Sequence, residues 1–200
     1  MKLPFFLRTT PKHLTEEKLL ELKEAGLNWI FTGLQSGSDR INREVFKRNV
    51  SSQEFLQVAN MVSNAGISGY YDIILDNPYE TDEDRMKTLK VALSIRRPFQ
   101  LQLFSLCFYQ GTELADKAIV DNISHESPKE KHYGILAPSL HNQLVRMVPT
   151  YPAGIIKFLS RLRKIGIIRY FIKLCNLINL TFLEPAILIM KSNLLNFKQF

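Results

Sequence analysis

The chain has 200 residues and a mass of 23.1 kDa, a length that permits one domain with a sizeable hydrophobic core. Hydrophobic residues make up 46% of the sequence and charged residues 22%, which excludes wholesale disorder, a collagen-like chain and a disulfide scaffold. The two cysteines, Cys107 and Cys175, cannot by themselves supply the three or four thiolates of an all-cysteine iron–sulfur cluster.

The net charge of +7 is unevenly distributed along the chain. Residues 129–200 hold eleven Lys and Arg against two Glu, whereas the preceding part is close to neutral. We therefore predict two parts, a globular part at 1–127 and a basic, Ile- and Leu-rich part at 128–200. The apolar run at the start meets Arg8 too early to form the core of a signal peptide, which favours a cytoplasmic protein.

Three helix–strand units are predicted in the first part, because the hydrophobic period switches between helical and strand values. Thr15 is a plausible N-cap and Gly26 a plausible C-cap of the first helix. The predicted helices begin at Thr15, Ser52 and Thr81, and the predicted strands cover residues 27–34, 69–75 and 101–106.

The strands of these units are almost continuously apolar, which is typical of a parallel sheet covered by helices in an α/β protein. In that class the chemistry lies in the loops that follow the carboxyl ends of the strands. Taken singly, each loop is also explained as a helix entry, with Ser38 or Asp39, Thr81 and Thr112 as N-caps. The three loops cover residues 33–39, 76–81 and 108–114.

Taken together and in order, three runs resemble the second half of the radical S-adenosylmethionine (SAM) domain, in the subgroup that often carries a cobalamin-binding domain. They are Gly-Leu-Gln-Ser-Gly-Ser-Asp at 33–39, Asp-Ile-Ile-Leu-Asp-Asn-Pro-Tyr-Glu-Thr at 72–81 and Gly-Thr-Glu-Leu at 111–114. The resemblance covers about residues 5–120. Residues 7–15 look like the family's third strand and the start of its helix.

The resemblance implies a partial, TIM-like (β/α) barrel, followed here by a mostly helical C-terminal region. It also implies a [4Fe–4S] cluster held by a Cys-x3-Cys-x2-Cys loop, with SAM bound to the fourth iron. The chain contains no such triplet. We therefore expect the cluster ligands, and any cobalamin domain, to lie on a missing N-terminal portion or on a separate subunit.

The resemblance also implies four candidate SAM-binding residues. Gln35 stands where the family usually has Glu at the end of a strand, and Ser36 and Asp39 are further candidates in the same loop. Asp72 matches a position that is acidic in relatives and lies within an apolar strand; the alternative is that it forms a salt bridge inside the barrel. The resemblance assigns no catalytic residue to this chain.

The chain's own histidines do not indicate a metal site. The four of them are scattered without a helical i, i+4 pair, so we predict no metal ligands among them. They are His13, His125, His132 and His141.

The basic part allows two structural interpretations. Residues 155–190 are rich in Ile, Leu and Phe with basic residues interspersed, which fits helices packed on the barrel or a basic amphipathic helix on an anionic membrane. The least charged stretch, 174–190, is interrupted by Glu184 and is shorter than the roughly 20 apolar residues of a spanning helix. No nucleic-acid-binding motif is present, so nucleic acid is not a predicted partner.

Two functions follow from the sequence. The first is a radical SAM enzyme, as a fragment or split subunit, that in complete form cleaves SAM at a [4Fe–4S] cluster for radical methyl transfer or rearrangement. Its substrate, a small molecule or a lipid, is not specified, and cobalamin is an optional second cofactor. The second is a non-catalytic barrel fragment that binds a partner or a membrane surface, with peripheral contact at the inner membrane face.

Overall fold

A computed structural model describes residues 3–123 and 136–162 of the chain. A parallel sheet of four strands forms its centre, and the strands lie side by side in chain order. This arrangement confirms the predicted α/β class, because helices connect each strand to the next. The strands are β1 (Phe5–Thr9), β2 (Leu27–Gln35), β3 (Ser68–Leu75) and β4 (Phe99–Ser105).

Helices connect the strands and continue after the sheet. A short 3₁₀ turn, Pro11–His13, precedes α1; α2 and α3 lie between β2 and β3, α4 lies between β3 and β4, and the last three helices follow β4. The described helices are α1 (Glu16–Ala25), α2 (Asp39–Glu44), α3 (Ser52–Asn64), α4 (Asp82–Ser94), α5 (Glu113–Val120), α6 (Leu140–Met147) and α7 (Ala153–Arg161).

The helix boundaries follow the predicted capping residues. The Thr15 hydroxyl accepts a hydrogen bond from the Lys18 amide, and Gly26 ends α1 with a left-handed φ of 118°. Thr81 and Asp84 form a reciprocal capping box at the start of α4. Local side-chain chemistry therefore determines where these helices begin and end.

One face of the sheet is buried under the helices. Successive inward residues of β3, such as Tyr71, Ile73 and Leu75, share a core cluster with Phe55 of α3. Three residues of α6 and α7, together with the C-cap of α6, belong to the same cluster, so these helices pack in the helical layer of the sheet. They are Leu144, Val145 and Ile156, with Val148 as the C-cap. The predicted division at 127/128 stays a prediction.

The opposite face, which we call the open face, carries aromatic side chains that are partly exposed. Phe6 is 65% exposed and Trp29 is 45% exposed, although the two are partners in the β1–β2 register. The Phe31 ring stacks on Tyr70 with centroids 4.7 Å apart. Residues two positions apart on a strand share a face, so this face also carries the polar residues that lie two positions after Phe6 on β1 and after Tyr70 on β3.

Most of the segment for which membrane contact is predicted lies outside the described residues. Of the predicted segment 155–190, the structure describes residues 155–162. Within the described ranges, no helix is both long and apolar enough to span a bilayer.

Asp76 fastens α6 to the end of the sheet. Its carboxylate accepts hydrogen bonds from the Ser105 hydroxyl at 2.9 Å, the Ala137 amide at 2.9 Å and the Asn142 side-chain amide at 2.7 Å. These donors come from the end of β4, the segment before α6 and α6 itself. Asp76 makes these contacts with a left-handed φ of 57°, a conformation that glycine adopts at lower cost.

We predict that Asp76→Gly lowers the free energy of unfolding by about 2 kcal/mol, because the loss of three hydrogen bonds outweighs the relief of backbone strain. Hydrogen exchange should accelerate in residues 137–147. Lys47→Gly is the matched control, since Lys47 is exposed and has a φ of 51°; it should stabilise the chain by up to about 1 kcal/mol. Equal stability of Asp76→Gly and the parent chain, measured by urea denaturation, would contradict the fastening role.

Candidate functional site

The candidate site lies on the open face around Gly33, near the carboxyl end of β2. Gly33 is the register partner of Asp72 on β3. A Cβ atom at Gly33 would lie 2.2 Å from Gln35 Nε2 and 3.1 Å from Arg48 Nη1. The Gln35 amide therefore fills the space that a side chain at Gly33 would need, with the Arg48 guanidinium next to it and Asp72 in register; we call this space over Gly33 the gap.

Asp72 is the acidic group of this gap. It is 6% exposed, and its Oδ2 accepts a hydrogen bond from Arg8 Nη1 at 2.7 Å, so the salt bridge considered from the sequence is present. Its Oδ1 is buried and has no partner among the described residues. Burial raises the pKa of Asp72, and the charge of Arg8 opposes that rise. One oxygen of the carboxylate is thus paired with Arg8, and the other is unpaired within the described ranges.

Arg8 reaches Asp72 from the neighbouring edge strand. Its guanidinium lies 5.1 Å from the centroid of the Phe31 ring, and Nη2 donates to Gln102 Oε1 at 3.4 Å. The guanidinium thus reaches from β1 to β3, past the strand β2 that lies between them. Arg8 was not predicted from the sequence as a site residue, because one basic residue in a short strand forms no recognisable pattern.

Arg48 is the second functional residue that sequence reasoning missed. It lies in the irregular segment between α2 and α3, anchored by a 2.8 Å hydrogen bond from its amide to the Asn42 carbonyl. Its Nη1 is buried without a partner in the described ranges, and burial lowers its pKa while Asp72 partly offsets that effect. A buried guanidinium with an unpaired nitrogen favours an anionic ligand group.

Gln35 ends β2 and turns its amide back over Gly33. Its φ of 62° is unusual for a residue other than glycine, and the β2–β3 register shifts between Gly33 and Gln35. Strained backbone of this kind often occurs where a side chain must be aimed at a site. The structure therefore brings two sequence-predicted residues, Gln35 and Asp72, to the same gap.

Ser36 and Asp39 follow Gln35 in the same loop and form hydrogen bonds with other parts of the chain. Ser36 is fully buried, and its hydroxyl donates to Glu80 Oε1 at 3.1 Å and lies 3.2 Å from Thr88 Oγ1. Asp39 accepts a hydrogen bond from the Ser52 amide at the start of α3. Their predicted contact with SAM stays a prediction.

The loop that carries Gln35 is docked on α4. A Cβ atom at Gly37 would lie 2.5 Å from the Thr88 Cα, so glycine allows the close approach. Ser38 Oγ donates to Asp84 Oδ1 at 2.6 Å, and Arg40 pairs with Asp84 Oδ2 at 2.5 Å. These contacts hold the position of the loop relative to the sheet.

Glu80 is a buried acid within this docked region. It is 8% exposed, and burial raises its pKa to about 7, although the Ser36 hydroxyl opposes the rise. From the sequence, Glu80 was only a residue before a helix. Its burial could not be predicted, because it depends on the contact between α4 and the loop after β2.

The gap suits a polar ligand better than a metal or a cluster. Within the described ranges, no group of three His, Cys, Asp or Glu side chains could hold a metal ion. Cys107 is a buried free thiol whose Sγ lies 3.6 Å from the Ser105 carbonyl oxygen. By contrast, Arg48 and Asp72 offer a donor and an acceptor to a ligand that carries both an anionic and a cationic group.

Comparison with known proteins supports the resemblance to one superfamily. The radical SAM superfamily model matches residues 1–92, which confirms the resemblance inferred from the sequence. A tRNA-2-methylthio-N(6)-dimethylallyladenosine synthase from Christiangramia forsetii is 32% identical over 107 residues, 52% of this chain. The chain spans about a fifth of that relative's length, 21%.

Solved structures show the same fold at lower identity. Coproporphyrinogen III oxidase from Escherichia coli, a radical SAM enzyme, matches with a TM-score of 0.52 and 20% identity over 79% of this chain and 32% of its own. The radical SAM methyltransferase TsrM from Kitasatospora setae, with cobalamin and a [4Fe–4S] cluster bound, matches with a TM-score of 0.50 and 15% identity over 60% of this chain and 23% of its own. The fold of the sheet and its helices is therefore similar to part of these two solved structures.

We predict that Glu80→Gln removes a pH dependence of stability. Folded Glu80 keeps its proton to about pH 7, whereas the unfolded chain releases it near its ordinary pKa of 4.5. The protonated group therefore favours the folded state below pH 4.5, and this contribution is lost as the pH rises to about 7. The free energy of unfolding of the variant minus that of the parent should therefore be about 2–3 kcal/mol larger at pH 8 than at pH 4.5.

Urea denaturation at several pH values measures this difference. Glu83→Gln is the matched control, because Glu83 is an exposed glutamate three residues later, in the first turn of α4. If the parent and Glu80→Gln have the same pH profile, Glu80 ionises normally in the folded chain.

Proposed function

We propose that this chain, whose residues 1–92 belong to the radical SAM superfamily, forms the SAM-binding side of a radical SAM enzyme for methyl transfer or rearrangement. The observation that carries the proposal is the gap at Gly33. There Gln35, Arg48 and Asp72 converge, and a buried donor and a buried acceptor lack partners among the described residues.

SAM matches the chemistry of this gap. Arg48 Nη1 would take the carboxylate of the methionyl group, Asp72 Oδ1 would accept from its ammonium, and the Gln35 amide would bond the ribose hydroxyls. Arg8 would keep Asp72 ionised and in place through its ion pair. When bound at a [4Fe–4S] cluster, SAM supplies a carbon-centred radical for reactions at unactivated carbon.

The cysteines of this chain do not fit a [4Fe–4S] cluster. The sequence has two cysteines, and the described one, Cys107, is buried in the protein. We therefore propose that the thiolates come from another portion of a longer protein or from a partner subunit. The alternative function, a non-catalytic fragment that binds a partner, draws support from the same missing ligands.

The substrate and the second cofactor stay open within this proposal. One structural neighbour binds cobalamin, which supports cobalamin as an optional cofactor. The matched relative is named for an adenosine modification in tRNA, so RNA is to be tested beside the small-molecule and lipid classes.

Variants of the gap test the SAM site. We predict that Arg48→Gln, Asp72→Asn and Gln35→Ala each weaken SAM binding, the first two by about tenfold or more because each removes a charge-assisted hydrogen bond. Ligand-observed NMR with the full chain measures the affinity, and circular dichroism confirms folding. Arg96→Gln is the control for Arg48→Gln, since Arg96 is exposed and pairs with Asn64. Unchanged SAM affinity in all three gap variants would contradict the assignment.

A reconstitution experiment separates the two functions. Co-expression with a polypeptide that carries Cys-x3-Cys-x2-Cys, encoded upstream or in an adjacent gene, should produce a complex with iron–sulfur absorbance and SAM cleavage. The chain alone should show neither. A chain that neither joins such a polypeptide nor binds SAM is the non-catalytic fragment.

A further inference from the structure

The hydroxyl of Ser36, the residue after Gln35, is the centre of a buried chain of hydrogen bonds. It lies 3.1 Å from Glu80 Oε1 and 3.2 Å from Thr88 Oγ1, and either hydroxyl can donate in the second contact. The Thr88 hydroxyl also donates to the Asp84 carbonyl at 3.3 Å. The chain thus joins the loop after β2 to the turn after β3 and to α4.

Two backbone amides of the loop donate into the same chain. The Ser38 amide donates to Ser36 Oγ at 3.2 Å, and the Gly37 amide donates to Thr88 Oγ1 at 2.9 Å. A hydroxyl has one proton and two lone pairs. Each of the two hydroxyls therefore has room for one further donor beside the amide that it already accepts.

The protonation state of Glu80 decides how many bonds this chain contains. A protonated carboxyl donates across the 3.1 Å contact to Ser36, which then donates to Thr88, while Thr88 keeps its bond to the Asp84 carbonyl. When Glu80 is ionised, the single proton of Ser36 turns to the carboxylate, and the chain has one hydrogen bond fewer. Ionisation thus weakens the anchoring of the loop and leaves a charge in the interior.

The surroundings of Glu80 place this change near neutral pH. Burial raises the pKa of Glu80 to about 7; the Ser36 hydroxyl and Arg85 oppose the rise, and the nearby carboxylates add to it. Two further titratable side chains line the cavity next to Glu80. The groups that face Glu80 from α4, from the loop after β3 and from α6 are Asp82, Asp84, Arg85, Asp76 and His141.

We propose, on the basis of the SAM site proposed above, that Glu80 is a positioning residue for Gln35, whose loop its protonated form holds in place through Ser36. Gln35 has a φ of 62°, so its conformation depends on the anchored backbone that follows. Asn42 still holds the Ser36 carbonyl at 2.8 Å when Glu80 is ionised, so the loop loosens without being released. SAM binds the protonated form more tightly, and its affinity falls as the pH rises through about 7.

SAM affinities at pH 6 and pH 8, measured by ligand-observed NMR on the full chain, test the proposal. Between these values the affinity of the parent should fall at least about fivefold more than that of Glu80→Gln. The Gln side chain carries a neutral N–H donor for Ser36 at both pH values and so imitates the protonated acid. The ammonium group of SAM and the carboxyl of Asp72 titrate in both chains, so their effects cancel in the comparison.

Two further variants control for neighbouring groups. Glu83→Gln, at an exposed position in the first turn of α4, should keep the pH profile of the parent. His141→Gln should keep it as well, although it removes a side chain of the type that ordinarily titrates near neutral pH. A profile that flattens in His141→Gln but not in Glu80→Gln assigns the titration to the histidine and overturns the proposal.

Hydrogen exchange in the SAM-free chain reports on the loop directly. The amides of Gly37 and Ser38 should lose protection between pH 6 and pH 8 in the parent, after correction for the intrinsic exchange rate, and keep it in Glu80→Gln. Equal protection in the two chains, or parallel SAM profiles in chains that bind SAM, overturns the proposal and leaves the SAM site standing. Absence of SAM binding in both chains at either pH overturns the proposed function, and this proposal with it.

Discussion

The close contact between the loop after β2 and α4 is the constraint on which the candidate site depends. Gly37 lets the loop backbone approach Thr88, and the hydroxyls of Ser36 and Ser38 then bond the carboxylates of Glu80 and Asp84. Because Gln35 immediately precedes these anchored residues, its strained backbone is held in place. The loop is thus part of the rigid scaffold, as a preorganised binding site requires.

Buried charge distinguishes the open face from an ordinary sheet surface. Asp72 keeps one oxygen unpaired, and the nearby Arg48 keeps one nitrogen unpaired. Each such group costs free energy in the unliganded chain, since the water that solvated it is gone and no protein atom replaces it. A ligand that pairs both groups would recover this cost.

Much of the local structure was predictable because its causes are local. The capping side chains Thr15 and Thr81 mark helix starts in any tertiary context, and near-continuous apolar runs mark strands of a parallel sheet. The order of the loops also carried enough pattern for a resemblance to the radical SAM superfamily, whose model matches residues 1–92. Arg8 and Arg48 were not predicted, and Glu80 was predicted only as a residue before a helix, since the contacts of each depend on burial and on partners distant in sequence.

The sequence by itself determined the helix–strand order, the caps, the superfamily and two members of the gap, Gln35 and Asp72. Tertiary structure alone decided which loop residues face the open side and which, like Ser36, turn into the interior. It also decided the bridge from Arg8 to Asp72, two strands apart. The physical reason is that periodicity and capping act over a few residues, whereas desolvation and ion pairing depend on groups that only the packed sheet brings together.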